Sequence, residues 1–267
     1  MGPSRVSCAA LSLLLLSAAC GDDSALPTQS TKCRALGWIA ETDAEIGVDS
    51  LVMLDAAGEL AARTATSEVI AARKADVSAS ELAVYGLLLE QAKPPFAAAS
   101  LEGVLPNAGT PDPKMPAPMN PSGGSLIEAC LQAALDCQTP PECESYASAT
   151  DSWGFVLTHQ AVWLLFAHWR SCSVPVDLEA RRRSVAASIV KEAAMDPTPG
   201  DLYAERLAVL GHLGFGQSYD PTWITSLRAQ AQPSGCIRAV EHGECSTHTT
   251  SLAVLALTHA GDIEECR

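Results

Sequence analysis

Apolar residues recur at three- and four-residue intervals along most of this chain, the stripe of a helix with one buried face. "CRALGWIAETDAEI" (33–46) and "DSLVMLDAAGELAAR" (49–63) both carry it, with Asp49 as the expected N-cap of the second. "SASELAVYGLLLEQA" (78–92) predicts a third helix, capped by Ser78 or Ser80 and stopped by Pro94-Pro95. Further on, "SLIEACLQAALDC" predicts an amphipathic helix from Ser125. "VDLEARRRSVAASIVKEAAM" predicts a surface helix ended by Asp196-Pro197. "PGDLYAERLAVLGHLGFG" opens on proline and aspartate and closes on glycines, and "DPTWITSLRAQA" adds another helix. Two segments differ from all of these. Val162 to Ala167 in "WGFVLTHQAVWLLFAHW" and Leu252 to Leu257 in "STHTTSLAVLALTHAG" are apolar all round, so these helices should be buried on most sides. No alternating strand pattern stands out, and the fold class is all-α.

Each fully apolar helix opens with Thr-His, at Thr158-His159 and Thr247-His248, and amphipathic helices lie between them. Buried inner helices alternating with half-exposed outer ones are what an α/α toroid, a double layer of helices, requires. "LRAQAQPSG" followed by "STHTTSLAVLAL" resembles one repeat unit of α/α-toroid proteins such as terpene cyclases and prenyltransferase β-subunits. There an outer helix ends in a Gln and Gly turn before an inner helix. That resemblance covers a single unit without the acidic motifs of the cyclases, so it bears on architecture and not on activity. Between the halves, "PNAGTPDPKMPAPMNPSGG" (106–124) holds six prolines and three glycines and predicts a loop or linker. It separates an N-terminal helical half (33–105) from a C-terminal one (125–267), as two domains or as one domain with a surface excursion.

Composition narrows the function classes. The 267 residues carry a formal charge of −14, with 48% apolar and 5% aromatic residues. A nucleic-acid binder needs a basic footprint, and the only basic run, Arg181–Arg183, reads as a solvated helix face beside Asp177 and Glu179. Residues 1–19 read as a signal peptide: Arg5 is followed by an uncharged run from Val6 to Ala19, short for a membrane span and ending in small residues. "LLLLSAACGDD" resembles a bacterial lipoprotein signal, with Cys20 as the lipidated residue and 20–32 as a polar tether, although Ser17 replaces the usual large aliphatic. Ser17-Ala18-Ala19 would also serve ordinary signal peptidase. The expectation is an exported, membrane-anchored envelope lipoprotein, with a secreted or periplasmic protein as the alternative. Beyond Cys20 lie Cys33, Cys130, Cys137, Cys143, Cys172, Cys236, Cys245 and Cys266. An even number in an oxidising compartment points to disulfides. Closeness in the chain suggests Cys236–Cys245 and a pairing within 130–143.

The stretch from about 154 to 260 resembles a family of secreted animal proteins of unknown function, best known as a thyroid-enriched protein. "GFVLTHQ" (154–160) and "DLYAE" (201–205) match its segments, as do Gly214-Phe215 with Tyr219, Trp223, Gln230, Gly235-Cys236 and "CSTHTT" (245–250). "RSC" at Arg170–Cys172 departs from the family's Gly-Cys. The resemblance implies a secreted helical protein, a homodimer, with no established activity.

Candidate chemistry concentrates in the second half. Cys236, Cys245 and His248 are a three-ligand set for zinc, but a cysteine pair nine residues apart in an oxidising compartment favours a disulfide, which has no thiolate to offer. No cofactor is predicted beyond that zinc alternative. His159 and His248 would converge at one mouth of a toroid, among free backbone N–H groups that favour anions. Asp201 and Glu205, four apart on one helix face, would orient a histidine, and Gln160 would join the lining. Thr-His as a helix cap with buried, satisfied rings is the plainer alternative. His168, His212, His242 and His259 show no partner pattern, and Trp163 and Trp169 read as packing. No Gly-rich phosphate loop, Gly-x-Ser-x-Gly elbow or His-Glu-x-x-His helix is present. The leading expectation is therefore a binding or interaction module. A metal- or histidine-dependent enzyme with its site at the mouth is the rival, and a purely structural helical surface for an envelope partner is the third reading.

Overall fold

The computed structural model describes residues 30–60, 63–104, 106, 126–240, 243–262 and 266. The signal segment, Cys20, most of the tether, nearly all of the Pro/Gly-rich stretch and His242 lie outside them. The elements are α1 (Thr31–Glu41), α2 (Val48–Leu60), α3 (Arg63–Arg73), α4 (Ala79–Tyr85), α5 (Leu126–Leu135) and α6 (Pro141–Ser148). They continue with α7 (Phe155–Trp169), α8 (Leu178–Met195), α9 (Asp201–Leu210), α10 (Pro221–Ala229) and α11 (Thr247–His259). The fold is all-α. Among the described residues extended pairing is limited to two isolated bridges, Gly200 with Val240 and Arg238 with Cys245.

Local chemistry sets the helix ends. Ser30, Ser78, Asp177, Asp220 and Ser246 each accept a backbone N–H from the first turn that follows, replacing the partners a helix start lacks. Ser78, rather than Ser80, therefore caps α4, which tightens into a 3₁₀ turn at Gly86–Glu90 before Pro94. The first helix stops at Glu41, short of the expected Ile46. Arg73 reaches across from α3 to the carbonyls of Ile39, Thr42 and Ala44 at 2.6–2.7 Å, satisfying acceptors that continued helix would have used. Asp49 is not a cap, because α2 begins one residue earlier at Val48 and the Asp49 carboxylate pairs with His248 instead.

The core follows from which helices are apolar all round. In α7, 10 of 15 residues are buried, and in α11, 11 of 13. α11 packs between α2 and α9 with α1 behind it, while α7 packs against α5, α8 and α9. Helices α5, α7, α9, α11 and α2 thus pack in succession, with α6 on α5 and α7, α8 on α7 and α9, α1 on α11, and α3 on α2 and α1. Both halves of the chain share this core, since α2 lies directly on α11 and one hydrophobic cluster runs from Ala35 to Leu257. Each large apolar side chain so buried stabilises the fold by about 1.5–3 kcal/mol before chain entropy is set against it. Four disulfides reinforce it: Cys33–Cys266, Cys130–Cys143, Cys137–Cys172 and Cys236–Cys245. They mark an oxidising, extracellular environment. No helix among the described residues is long and apolar enough to cross a membrane.

The structure differs from the sequence expectation in the basic run. Arg181 and Arg182 are buried and only Arg183 faces water. Arg181 donates to Ala147 O, Ala149 O and Gln160 Oε1. Burial away from water brings its guanidinium down to about 10, the nearby Tyr146 opposing this. Arg182 donates to Ala97 O and Leu213 O and lies over the Phe96 and Phe215 rings. Both arginines bind carbonyls at helix ends and in the segments that follow or cross them, which is why charge is tolerated on that face of α8. Gly214, at φ +88°, is part of the same junction. A Cβ there would run into the carbonyls of Phe96 and Ala97, whose strap hydrogen-bonds to His212 O and Gly214 O.

Candidate functional site

Helices α2, α4, α7, α9 and α11 surround a cavity of about 220 Å³. Its polar lining is Asp49 of α2, Glu81 and Tyr85 of α4, His159 of α7, Glu205 of α9 and His248 of α11. One or two turns further along the same helices come Val52 and Met53, Val162 and Phe166, Val209, and Leu252; Leu88 and Leu131 complete an apolar floor. The arrangement follows from the 3.6-residue period: His159, Val162 and Phe166 share a face, as do Glu205 with Val209 and His248 with Leu252. Polar mouth and apolar floor are thus written on the same helix faces.

At the mouth, His248 is held between two carboxylates. Its Nδ1 pairs with Asp49 Oδ2, and its Nε2 lies 3.8 Å from Asp201 Oδ1. Burial alone would lower the imidazole, but the Asp49 hydrogen bond and the charges of Asp49, Asp201 and Glu205 raise it to about 9, so the ring is a cation at neutral pH. Asp49 responds in kind. Burial would raise it, and the His248 hydrogen bond and charge, with the Ser50 backbone, hold it below the usual carboxylate range. Asp201 is fixed from the other side by Thr249 Oγ1, which donates to Oδ1 at 2.6 Å.

His159 is oriented by its own helix. Nδ1 lies 2.7 Å from Phe155 O and 3.4 Å from Glu205 Oε1, so in the neutral ring the proton on Nδ1 leaves Nε2 as the acceptor. Glu205 is 4% exposed, and its Oε2 has no hydrogen-bond partner among the described residues. The Thr158 hydroxyl donates to the helix carbonyls of Phe155 and Gly154 and also lies against the Glu205 carboxyl, favouring its charged form. Burial pushes the Glu205 carboxyl up and Asp201 adds to this; His159, His248 and the Thr158 hydroxyl oppose it without overcoming it.

Of the residues singled out in the sequence, His159, Glu205 and His248 line the cavity, and Asp201 stands behind His248. Gln160 does not face it. Gln160 lies one residue, about 100° of helix, from His159. Its side chain donates to Tyr146 O at 2.5 Å and Ala149 O at 3.2 Å and accepts from Arg181 at 2.8 Å. The cysteine–zinc alternative also falls, because Cys236 and Cys245 are bonded to each other and neither sulfur is a thiolate. No group of three metal-ligating side chains occurs among the described residues.

Some of the N–H groups expected to be free at the helix starts are occupied. Glu192 accepts from Gly154 N at the start of α7, Ser246 Oγ accepts from Thr249 N in α11, and Asp201 N donates to Ala239 O. The carboxylates Asp49, Glu81 and Glu205 line the cavity beside them. Thr158-His159 also lie one turn into α7 and form no cap there, since Gly154 precedes the helix.

Sequence reasoning missed Asp49, Glu81 and Tyr85, which come from the other half of the chain. Their only signal was position: like His248, Asp49 lies at the second residue of its helix. It also missed a second histidine pair. His212 Nδ1 lies 3.1 Å from His259 Nε2, and His212 Nε2 lies 2.9 Å from Lys93 O. No family model, curated protein or solved structure matches this chain.

Proposed function

We propose that this chain is an exported cell-envelope protein, lipid-anchored through Cys20, whose helices form a toroid-like double layer and which acts as a binding module for a small ligand. The observation that carries the reading is Glu205. A carboxylate oxygen in the wall of an apolar-floored cavity, buried and without a partner, is costly unless something donates to it. The signal segment, the oxidising compartment and the resemblance to a secreted helical family agree with the cellular part of the reading. A small-molecule screen read by thermal shift tests it. Hits on the wild type are expected to disappear in the His159→Ala/His248→Ala double variant while its helical circular dichroism persists. Hits that bind both proteins equally would defeat the pocket.

One observation favours an enzyme as the second reading. His159 lines the cavity and is oriented through Nδ1, which leaves Nε2 free of that contact, the posture of a general base steadied by a backbone carbonyl and a carboxylate. Turnover with a bell-shaped pH profile that collapses in His159→Ala would promote it above the binding module.

A further inference from the structure

We propose that the pocket selects a small cationic amphiphile: an ammonium group held between the Glu205 Oε2 and Asp49 carboxylates and His159 Nε2, with a compact hydrocarbon or aromatic body on the apolar floor. This rests on the reading of the cavity as a binding site and specifies its ligand.

Three observations fix the chemistry. The first is the vacancy in hydrogen bonding. In its charged form Glu205 Oε2 only accepts, and His159 Nε2 accepts in the neutral tautomer set by Phe155 O, so an occupant that brings N–H or O–H donors satisfies this corner. The second is charge. Asp49 and Glu81 line the mouth, Asp201 stands just behind, and Glu205 sits in the wall, facing the His248 cation. An entering carboxylate or phosphate would meet these acids with no lysine or arginine in the lining, whereas an ammonium would neutralise them.

The third is size and polarity with depth. Below the acids the walls are Val52, Met53, Val162, Phe166, Val209 and Leu252, which offer an alkyl or ring body burial and no polar partner. About 220 Å³ holds roughly seven water-sized groups at about 30 Å³ each, which suits an amine of six or seven heavy atoms and excludes a two-chain lipid. The raised carboxyl of Glu205 agrees: an empty site holds that group toward its neutral form, and a bound ammonium would return it to the charged one.

The probe series is n-hexylamine, n-hexanol and hexanoate, matched in size and differing only in the head group, titrated calorimetrically into the exported protein. Hexylamine is expected to bind at least about ten-fold more tightly than hexanol, and hexanoate not measurably, since a hydrogen bond to a charged partner is worth about 1.5–3 kcal/mol. Glu205→Gln should weaken hexylamine by about ten-fold more than it weakens hexanol. If hexanoate binds as well as hexylamine, or the variant weakens amine and alcohol alike, the cationic class is wrong while the pocket survives. Failure of all three probes on the wild type defeats the binding site itself. Because the comparison of head groups is made on the wild type, it stands even if Glu205→Gln does not fold.

Discussion

Histidines stand near both ends of α11, with the start of α9 beside one and the residues just beyond its end beside the other, and the two groups differ in charge. Near the helix starts, His248 is raised to about 9 by Asp49, Asp201 and Glu205 despite its burial. At the far ends, beyond α9 and at the last residue of α11, His212 is pushed down to about 3 and His259 to about 4. Burial dominates there; His259, His168 and Lys93 add positive charge around His212, and only its hydrogen bond to the Lys93 carbonyl opposes them. The rings are the same and so is the direction of desolvation. What differs is the company: three carboxylates at one end, neighbouring imidazoles, the Trp169 edge and a backbone carbonyl at the other. A buried histidine is therefore a cation or a neutral packing group according to whether a carboxylate is buried with it.

The comparison breaks most visibly by deletion. His212→Ala should cost roughly 3–5 kcal/mol, as for a fully buried ring, because it empties core volume and orphans Lys93 O and His259. His159→Ala, at the half-open mouth, should cost less than about 1 kcal/mol. Urea unfolding measures both, and equal costs would erase the distinction between packing and ligand-facing histidines.

A smaller effect is expected from the loop that leads into α11. Replacing Cys236 and Cys245 by serine should cost roughly 2–3 kcal/mol from the entropy of a loop of nine residues. Ile237 and Ser246 hydrogen-bond each other across this loop, and Ile237 N donates to Thr250 Oγ1 inside α11. Histidine ring NMR signals should therefore move for His248 and stay in place for His212 and His259. Movement at both ends would mean that the ends are coupled through α11.

Smallest, and most specific to charge, is the pH response. His248 has a folded value above the unfolded 6.5, so its stabilisation is fully present below about pH 6.5 and is lost as pH rises through about 9. His212 and His259 have folded values below 6.5, so theirs is present above about pH 6.5 and lost as pH falls towards about 4 and about 3. The stability difference between wild type and His248→Gln should thus shrink on the alkaline side, and that between wild type and His212→Gln on the acid side. Taking differences cancels other groups such as Glu192, which burial raises to about 7 against the pull of Arg206. Parallel curves for either pair would show that the ring does not titrate as its neighbours dictate.

The helices with long apolar stripes were legible because their periodicity is a property of the chain itself: α7 and α11 are buried on most sides, as their sequences require. Two helices were not. "RTATSEVIAAR" in α3 offers only Val69 and Ile70 as large apolar residues, and "PECESYAS" in α6 is short and tied down by Cys143. Both form because neighbours hold them, which local pattern does not record. Arg181 and Arg182 misled for the same reason, since a charge run reads as solvated until distant carbonyls, here those of Ala147 and Leu213, are brought to it.

Sequence alone determined the helical class, the buried inner helices, the close Cys236–Cys245 pair and the acids and histidines of α7, α9 and α11. Each depends on residues near one another in the chain, where a 3.6-residue period or a short loop sets geometry directly. Tertiary structure decided that Asp49 meets His248 across about two hundred residues. It also decided that Gln160 turns away to hold Arg181, that His212 pairs with His259, and that Glu205 is left with a bare oxygen in a cavity wall. Those outcomes depend on which faces are pressed together and what water is excluded, and burial, unlike periodicity, belongs to no single stretch of chain.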